Sequence, residues 1–310
     1  MPGRVTPGHV VAIVAVVGPT AAGKSDLAIA LAERLDGEII NADSMQLYRG
    51  MDIGTAKLTV AERRGIPHHL LDIWDVTQTA SVADYQALSR AAIADIRSRG
   101  RVPILVGGSG LYLRAALDNL EFPGTDTAIR ERLESELAEV GSVALHERLR
   151  TLDPTAADNM DPVNGRRIVR ALEVIELTGE LWSARLPDYR YLDEQTVQIG
   201  IDIPYDVLDE RIARRVDLMW AHGFVDEVRV LEARGLRDGV TAVRALGYAP
   251  VLQFLDGVCD EQTARATTAQ TTRRFARRQL SWFRRDPRVA WLPVGDDLIG
   301  RAAACLPAPT

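Results

Sequence analysis

The feature that most constrains this chain is a glycine-rich segment, GPTAAGKS at positions 18–25, together with the apolar run 10–17 that precedes it. The segment fits the pattern G-x-x-x-x-G-K-[ST], which is typical of phosphate-binding loops. Such a loop follows a buried strand and leads into a helix, so that backbone N–H groups and the helix N-terminus converge on one anion. The apolar run supplies the strand, and residues 25–35 have the apolar spacing of a helix. The sequence therefore predicts an α/β core with an anion site at a strand end.

The residue types of this loop indicate what each position contributes. Gly18 and Gly23 permit backbone angles and close approach that a Cβ would prevent. Lys24 provides a positive charge, and Ser25 provides a hydroxyl for Mg²⁺. The ligand expected from the pattern is a di- or triphosphate, and the loop alone does not identify it as ATP. The predicted phosphate-contacting residues are Gly18, Pro19, Thr20, Ala21, Ala22, Gly23, Lys24 and Ser25.

The order of the remaining elements predicts a P-loop-type parallel sheet with helices on both faces, plus a helical insertion domain. Strands are predicted at 38–41, 103–106, 197–203 and 289–292, and helices at 81–99, 126–140, 143–152, 164–178, 205–222, 225–233, 241–255 and 263–285. Helices follow one another without strands between residues 122 and 195. We therefore expect a core domain of residues 1–121 and 196–310 that is interrupted by a helical domain at 122–195.

Composition excludes several classes of protein. The chain has 310 residues, of which 46% are hydrophobic and 26% charged, as in a globular protein of one large or two moderate domains. Its two cysteines, Cys259 and Cys305, are far apart, so we expect neither a disulfide framework nor a zinc site. This use of cysteine is consistent with a protein of the reducing cytoplasm. No segment approaches the roughly 20 apolar residues that span a bilayer. The net charge of −6 argues against general affinity for nucleic acid, so any such binding would depend on a local basic face.

Two further segments follow predicted strands and carry polar side chains. In the first, NADSMQ at 41–46, Asp43 is either a turn aspartate or a general base or Mg²⁺ organiser beside the phosphates. In the second, PILVGGSGLY at 103–112, the strand ends in glycines where a nucleotide hydrolase would carry an aspartate. The glycines allow a substrate to lie against the backbone and Ser109 offers a hydroxyl, although a tight turn before a helix explains them equally.

Arginines are concentrated in two helical segments. In TTRRFARRQLSWFRRD, helical spacing places Arg273, Arg277 and Arg284 on one line of the helix and leaves an apolar stripe opposite. A second set, Arg166, Arg167 and Arg170, lies at the start of a helix in the insertion. A solvated helix face is the ordinary explanation of such clusters, but two of them in a chain with a phosphate loop favour polyanion binding.

These motifs together resemble the bacterial form of the tRNA dimethylallyltransferase (tRNA isopentenyltransferase) family. The resemblance covers most of the chain. It rests on GPTAAGKS, EIINADSMQLYRGMDIGTAK at 38–57, GIPHHLLD at 65–72, PILVGGSGLYLRAAL at 103–117, RRIVRALEV at 166–174, LGYAP at 246–250 and RRFARRQLSWFRR at 273–285. The second and fourth of these motifs are far more specific than the phosphate loop.

The resemblance implies transfer of a dimethylallyl group from dimethylallyl diphosphate to N6 of the adenosine on the 3′ side of a tRNA anticodon. The loop would then hold diphosphate with Mg²⁺ as cofactor, in a monomeric cytoplasmic enzyme. The implied catalytic residues are Asp43, Lys24, Ser25 and Ser109, and Arg211 and Arg215 are the implied diphosphate-directed arginines. The implied contacts to the tRNA anticodon stem-loop are Asp43, Ser44, Met45, Gln46, Ser109, Arg166, Arg167, Arg170, Arg244, Gly247, Tyr248, Arg273 and Arg277.

The chain departs from the family pattern at three places. Ser109 stands where threonine is usual, which keeps the hydroxyl, and PVNG at 162–165 replaces a segment that is commonly Pro-Asn-Asp. No zinc-finger extension follows Arg285, in contrast to the longer eukaryotic relatives. Two other functions remain open at this point: a P-loop small-molecule or nucleoside kinase that turns over ATP, and a non-catalytic RNA-binding module gated by phosphate.

Overall fold

A computed structural model describes residues 12–183 and 189–306 of the chain. The chain divides into two compact units, Met1–Asp118 with Tyr191–Thr310, and Asn119–Arg190. The second unit starts and ends a few residues before the range 122–195 expected from the sequence. The second unit ends before residue 195 because the Leu192 N–H donates to the Leu117 carbonyl, which places Leu192 in the first unit. No helix in the described ranges combines the length and apolarity needed to cross a lipid bilayer.

The first unit is built on one parallel sheet of six strands. The strands are β1 Val14–Val17, β2 Gly37–Asn41, β3 His68–His69, β4 Val102–Val106, β5 Val197–Asp202 and β6 Val289–Pro293. Their spatial order is β3-β2-β4-β1-β5-β6, and every pairing is parallel. The predicted α/β class is therefore confirmed. Residues 10 and 11 of the predicted first strand lie outside the described residues.

Helices cover both faces of the sheet, as the alternation of elements predicted. The helices of the first unit are α1 Lys24–Leu35, α2 Val82–Ser98, α3 Gly110–Leu117, α7 Tyr205–Ala221, α8 Phe224–Ala233, α9 Tyr248–Leu255, α10 Glu261–Phe283 and α11 Leu298–Ala304, and those of the second unit are α4 Thr127–Leu152, α5 Pro154–Asp158 and α6 Gly165–Thr178. Alternate residues of a strand point to opposite faces. Val14 and Val16 of β1 accordingly pack with α1, α7 and α10, whereas Ala15 and Val17 pack with α2 and α3.

One predicted helix was wrong over its first half. The range 241–255 contains a short 3₁₀ turn, Ala242–Arg244, and only then helix α9 from Tyr248. Gly247 has φ +86°, a left-handed conformation, and is the residue that precedes the first turn of α9. Helices α5 and α11 and the short strand β3 were not predicted, because each is too short to show a periodic pattern. Helix α3 was expected only in the interpretation of 103–112 as a tight turn before a helix.

The second unit is helical. Its longest element, α4, is interrupted at Gly141, where φ +82° and ψ 167° depart from helical values. Two helices were predicted on either side of this position. Buried leucines of α4 pack against α6. The fully buried Glu173 of α6 accepts hydrogen bonds from Arg130 and Arg170, so a paired carboxylate lies within this small core.

Candidate active site

The phosphate loop joins β1 to α1 at the carboxyl end of the central strand. Gly18, Ala21 and Gly23 have φ values of +137°, +64° and +97°, so the loop turns repeatedly in the left-handed half of backbone space. Helix α1 begins at Lys24, which directs its unpaired first N–H groups at the space inside the loop. β1 lies between β4 and β5, and ligands of such sheets bind at this edge. The geometry is that of an anion cradle.

Lys24 supplies the cationic side chain of this cradle. Its Nζ donates to the Pro19 carbonyl across the loop at 2.8 Å. Lys24 is partly accessible, yet the protein atoms around its ammonium group desolvate it and lower the Lys24 pKa to about 8. Asp43 opposes this pKa shift and Arg215 adds to it. Lys24 therefore stands among charged groups of both signs, and a bound anion would favour its protonated form.

Two arginines of α7 reach the same region. Arg211 Nη1 donates to the Ala22 carbonyl of the loop at 3.3 Å. Arg215 Nη2 donates to the Thr55 carbonyl at 3.1 Å. Burial lowers the pKa of Arg215, and the Asp43 charge acts in the opposite direction. The structure thus places both arginines near the loop, where the sequence resemblance expected diphosphate-directed residues.

Asp43 follows β2 and makes a local turn. Asn41 Oδ1 accepts the Asp43 N–H at 2.9 Å, and Asp43 Oδ1 accepts the Met45 N–H at 2.9 Å. Asn41 Nδ2 also donates to the carbonyls of Asp43 and Leu70, each at 3.0 Å. The turn interpretation of Asp43 is therefore correct for one carboxylate oxygen. Its charge also acts on Lys24, so the turn holds the carboxylate within the cradle's electrostatic field.

Ser109 links the two predicted polar segments. Its Oγ accepts the Ser44 N–H at 3.2 Å and lies 3.4 Å from Ser44 Oγ. The preceding glycines are required by packing within the protein: a Cβ on Gly107 would lie 2.2 Å from the Ala42 carbonyl oxygen, and one on Gly108 would lie 2.0 Å from Gln279 Nε2. These two glycines thus allow neighbouring segments of the chain to approach, whereas the sequence suggested a close approach of substrate.

Sequence reasoning missed Gln279, which joins the cradle to this glycine segment. The side chain is 5% exposed. Its Oε1 accepts the Thr20 N–H at 2.9 Å, and its Nε2 donates to the Gly108 carbonyl at 2.9 Å. One amide therefore satisfies a donor of the phosphate loop and an acceptor of the β4–α3 loop. A signal was present, since a glutamine on the predicted apolar stripe of an arginine-rich helix is an unusual core residue.

The arginines of α10 differ in how accessible they are to a polyanion such as RNA. Ala276, Leu280 and Phe283 form the buried stripe that was predicted. Arg277 is exposed and pairs with Asp209 at 2.8 Å. Arg273 is half-buried, and its Nε has no hydrogen-bond partner among the described residues.

The other predicted tRNA contacts differ in their accessibility. Arg244 is exposed, but the Tyr248 ring is fully buried and its hydroxyl donates to Glu227 at 2.7 Å. In the second unit Arg166 and Arg167 are exposed. Arg170 is engaged by Glu173 and by the Pro123 and Gly124 carbonyls. Contact with RNA stays a prediction for all of these residues.

Ser25 is the loop residue that offers an oxygen for Mg²⁺. Over residues 12–183 and 189–306, no three histidine, cysteine, aspartate or glutamate side chains are grouped as a metal site. Mg²⁺ in phosphate-handling sites is commonly held by one or two protein oxygens, with phosphate oxygens and waters completing the octahedron. Ser25, partly accessible in the first turn of α1, offers such an oxygen. The residues fit a cation that arrives with a phosphate ligand.

Comparison with known proteins gives a consistent result. The model of a family described as IPP transferase matches residues 46–286. A tRNA dimethylallyltransferase of Thermobifida fusca is 66% identical over 94% of this chain and 93% of its own length. One from Salinispora tropica is 63% identical over 94% and 91%.

Solved structures are also similar. A tRNA isopentenylpyrophosphate transferase from Bacillus halodurans is 43% identical over 95% of this chain and 96% of its own, with a TM-score of 0.69. A eukaryotic dimethylallyltransferase described as acting on tRNA is 27% identical, with a TM-score of 0.81 over 94% of this chain and 77% of its own.

Proposed function

Since the chain belongs to the IPP transferase family, we propose that it transfers the dimethylallyl group of dimethylallyl diphosphate to N6 of the adenosine 3′-adjacent to the anticodon of tRNA, with release of diphosphate. The relatives support a transferase of this kind over the kinase alternative. The observation that carries the proposal is the convergence of the phosphate loop, two arginines and Asp43 at one end of the sheet.

The cationic groups would act on the leaving group. When the allylic C–O bond breaks, the diphosphate gains negative charge while the carbon becomes cation-like. Lys24, the N–H groups of the loop and the guanidinium groups of Arg211 and Arg215 would surround the leaving group, where that charge develops; their hydrogen bonds beside the loop support this placement. Preorganised positive charge of this kind stabilises the transition state more than the substrate, which is the condition for faster chemistry.

Mg²⁺ is the proposed cofactor. When bound to diphosphate oxygens it would neutralise part of the leaving group's charge, and Ser25 is the residue of the loop that would hold it.

Asp43 would orient the attacking amine and accept its proton. An exocyclic adenine amine is a poor nucleophile, but its nitrogen becomes strongly acidic once it is alkylated, so a carboxylate can accept the released proton. The turn bond to the Met45 N–H fixes Oδ1 of Asp43, so the second carboxylate oxygen, Oδ2, is proposed to face the amine. Ser109 and Ser44, which contact each other, are proposed to line the nucleotide pocket. Orientation of the amine at near-attack distance is expected to be the larger part of this contribution.

Exposed arginines would hold the RNA. Adenosine must leave the stack of the anticodon loop to reach the partly accessible carboxylate of Asp43, and this requires contacts to the flanking phosphates. Arg166, Arg167, Arg244 and Arg277 are exposed and are proposed to supply such contacts. The free cysteines Cys259 and Cys305 agree with a reducing cytoplasm as the proposed location. We further propose that the enzyme is a monomer.

Mass spectrometry tests the reaction directly. Purified protein with Mg²⁺, dimethylallyl diphosphate and unmodified tRNA should add a single five-carbon unit to one adenosine, detected after nuclease digestion. Asp43→Asn under the same conditions is the matched negative control. Absence of the adduct, together with consumption of ATP when a small hydroxylated acceptor is supplied, would instead support a kinase.

A further inference from the structure

The segment 51–57, MDIGTAK, forms a tight loop that is held by a carboxylate from a different part of the chain. Glu227 Oε2 accepts the N–H groups of Asp52 at 2.9 Å and Ile53 at 2.6 Å, and its Oε1 accepts the Gly54 N–H at 3.1 Å. Glu227 lies in the first turn of α8, where the helix dipole favours a negative charge. A single side chain thus satisfies three consecutive backbone donors, 173 to 175 residues away in sequence.

A fourth hydrogen bond and close packing fix Glu227 and the loop together. The Tyr248 hydroxyl donates to Glu227 Oε1 at 2.7 Å. Gly54 lies against the rings of Phe224 and Tyr248, and a Cβ at this position would come within 2.3 Å of Phe224 Cε2 and 2.6 Å of Tyr248 Cε2. The two rings meet edge to face, with centroids 5.1 Å apart. The loop therefore has little freedom to move while the carboxylate is in place.

The 51–57 loop also forms hydrogen bonds, through the Thr55 carbonyl, with Arg215 and Gln46. The Thr55 carbonyl accepts hydrogen bonds from Arg215 Nη2 and Gln46 Nε2, each at 3.1 Å. Lys57 closes the loop, because its buried ammonium donates to Asp52, Asp72 and the Tyr48 carbonyl. One backbone carbonyl thus orients both Arg215, the proposed diphosphate-directed arginine, and Gln46, which the sequence resemblance implies is a tRNA contact.

We propose that Glu227, assisted by Tyr248, is a positioning residue that sets Arg215 and Gln46 through the 51–57 loop. The proposal rests on the proposed function in assigning Arg215 to the diphosphate. It also gives the buried Tyr248 a role in the site that requires no contact with RNA.

Binding of inorganic diphosphate in the presence of Mg²⁺, measured by calorimetry on the full chain, is the primary test. In Glu227→Gln the amide nitrogen cannot accept, so the bonds to one side of the carboxylate are lost while the side-chain volume is kept. We expect the dissociation constant to rise about tenfold, as the loss of one well-placed charged hydrogen bond would produce. Glu232→Gln is the matched control, since Glu232 lies on the same helix and pairs with Arg237 away from the loop. Its dissociation constant should equal that of the wild type.

A double-variant cycle separates positioning from general loss of structure. If Glu227 acts through Arg215, then Glu227→Gln should weaken diphosphate binding in the wild type but change it less than twofold in an Arg215→Gln background. Tyr248→Phe, which keeps the carboxylate, should weaken binding about threefold and serves as the decisive variant if Glu227→Gln does not fold. Additive effects in the cycle, or a dissociation constant for the folded variants within twofold of Glu232→Gln, would overturn the inference.

The proposed function is judged separately from this inference. If the wild type binds diphosphate but forms no prenylated tRNA, the proposed function fails, whereas the diphosphate measurements still decide the role of Glu227.

Discussion

Replacing Gln279 by leucine tests how far the phosphate loop depends on a residue distant from it in sequence. Leucine has a similar volume and suits the buried stripe of α10, so the packing of Ala276 and Leu280 should survive. The substitution removes the acceptor for the Thr20 N–H and the donor to the Gly108 carbonyl. Two main-chain groups beside the anion cradle then lose their partners.

The expected loss in the free energy of unfolding follows from these two unpartnered main-chain groups. A buried polar group left without a partner costs about 1–3 kcal/mol. Gly108 is buried but Thr20 is partly accessible, so water can serve the Thr20 N–H in part. We therefore expect a loss of about 2–4 kcal/mol, which corresponds to a fall in Tm of about 4–8 °C for a domain of this size. The loop would relax at the same time, raising the KM for dimethylallyl diphosphate about tenfold or more.

Differential scanning fluorimetry and steady-state kinetics measure the two effects. Gln270→Leu is the control, because Gln270 is exposed on the same helix. Gln279→Glu adds a second comparison: it retains an acceptor for Thr20 but opposes a carboxylate to the Gly108 carbonyl, so its Tm should also fall. If Gln279→Leu has a Tm within 1 °C of Gln270→Leu and an unchanged KM, the bridging role assigned to Gln279 is wrong.

Three further predictions concern charged groups. Because burial lowers the Lys24 pKa to about 8, the ammonium is lost as the pH rises through that value, and the affinity of the wild type for inorganic diphosphate, relative to Lys24→Gln, should fall about tenfold between pH 7 and pH 9. The comparison removes the ionisation of diphosphate itself, and a constant ratio would contradict the charge assignment. Asp43→Asn should lower kcat roughly 10²-fold or more while gel-shift affinity for tRNA is kept; an unchanged kcat would exclude Asp43 as the proton acceptor. Asp118, which is fully buried and paired with two arginines, should be sensitive to Asp118→Asn, with a loss of about 3–5 kcal/mol in urea unfolding and no change in diphosphate affinity. A wild-type unfolding midpoint would show that this buried cluster is dispensable.

Much of the fold could be predicted because its signals are local. The apolar run before the phosphate loop, the 3.6-residue spacing of α2, α7 and α10, and the alternation of 197–203 each depend on neighbouring residues alone. The elements that were missed or misplaced are short or are broken by one glycine. The start of α9 depends on Gly247, which has a left-handed φ and where a Cβ would lie 3.0 Å from Phe224 and Thr268; no local pattern encodes these neighbours.

The candidate site could be predicted in part. Lys24, Ser25 and Asp43 lie in motifs whose spacing carries their chemistry, and the structure brings them to one end of the sheet. The burial of Tyr248 could not be predicted from its motif, which suggested contact with RNA; the ring is fully buried, and that contact stays a prediction. The packing role of the two strand-terminal glycines was not predicted, because their neighbours Ala42 and Gln279 come from other segments. The approach of a substrate to these glycines stays a prediction.

The sequence by itself determined the anion cradle, the parallel α/β architecture and the family, because each is written in contiguous residues whose spacing matches a strand, a turn or a helix. Only the tertiary structure decided which side chains support that cradle. Gln279 contacts the phosphate loop from 259 residues away in sequence, and Glu227 holds the 51–57 loop from 174 residues away. Such contacts form only when whole helices pack against the sheet. A single hydrogen-bonding side chain produces no periodic pattern in the sequence, so it cannot be predicted from local spacing.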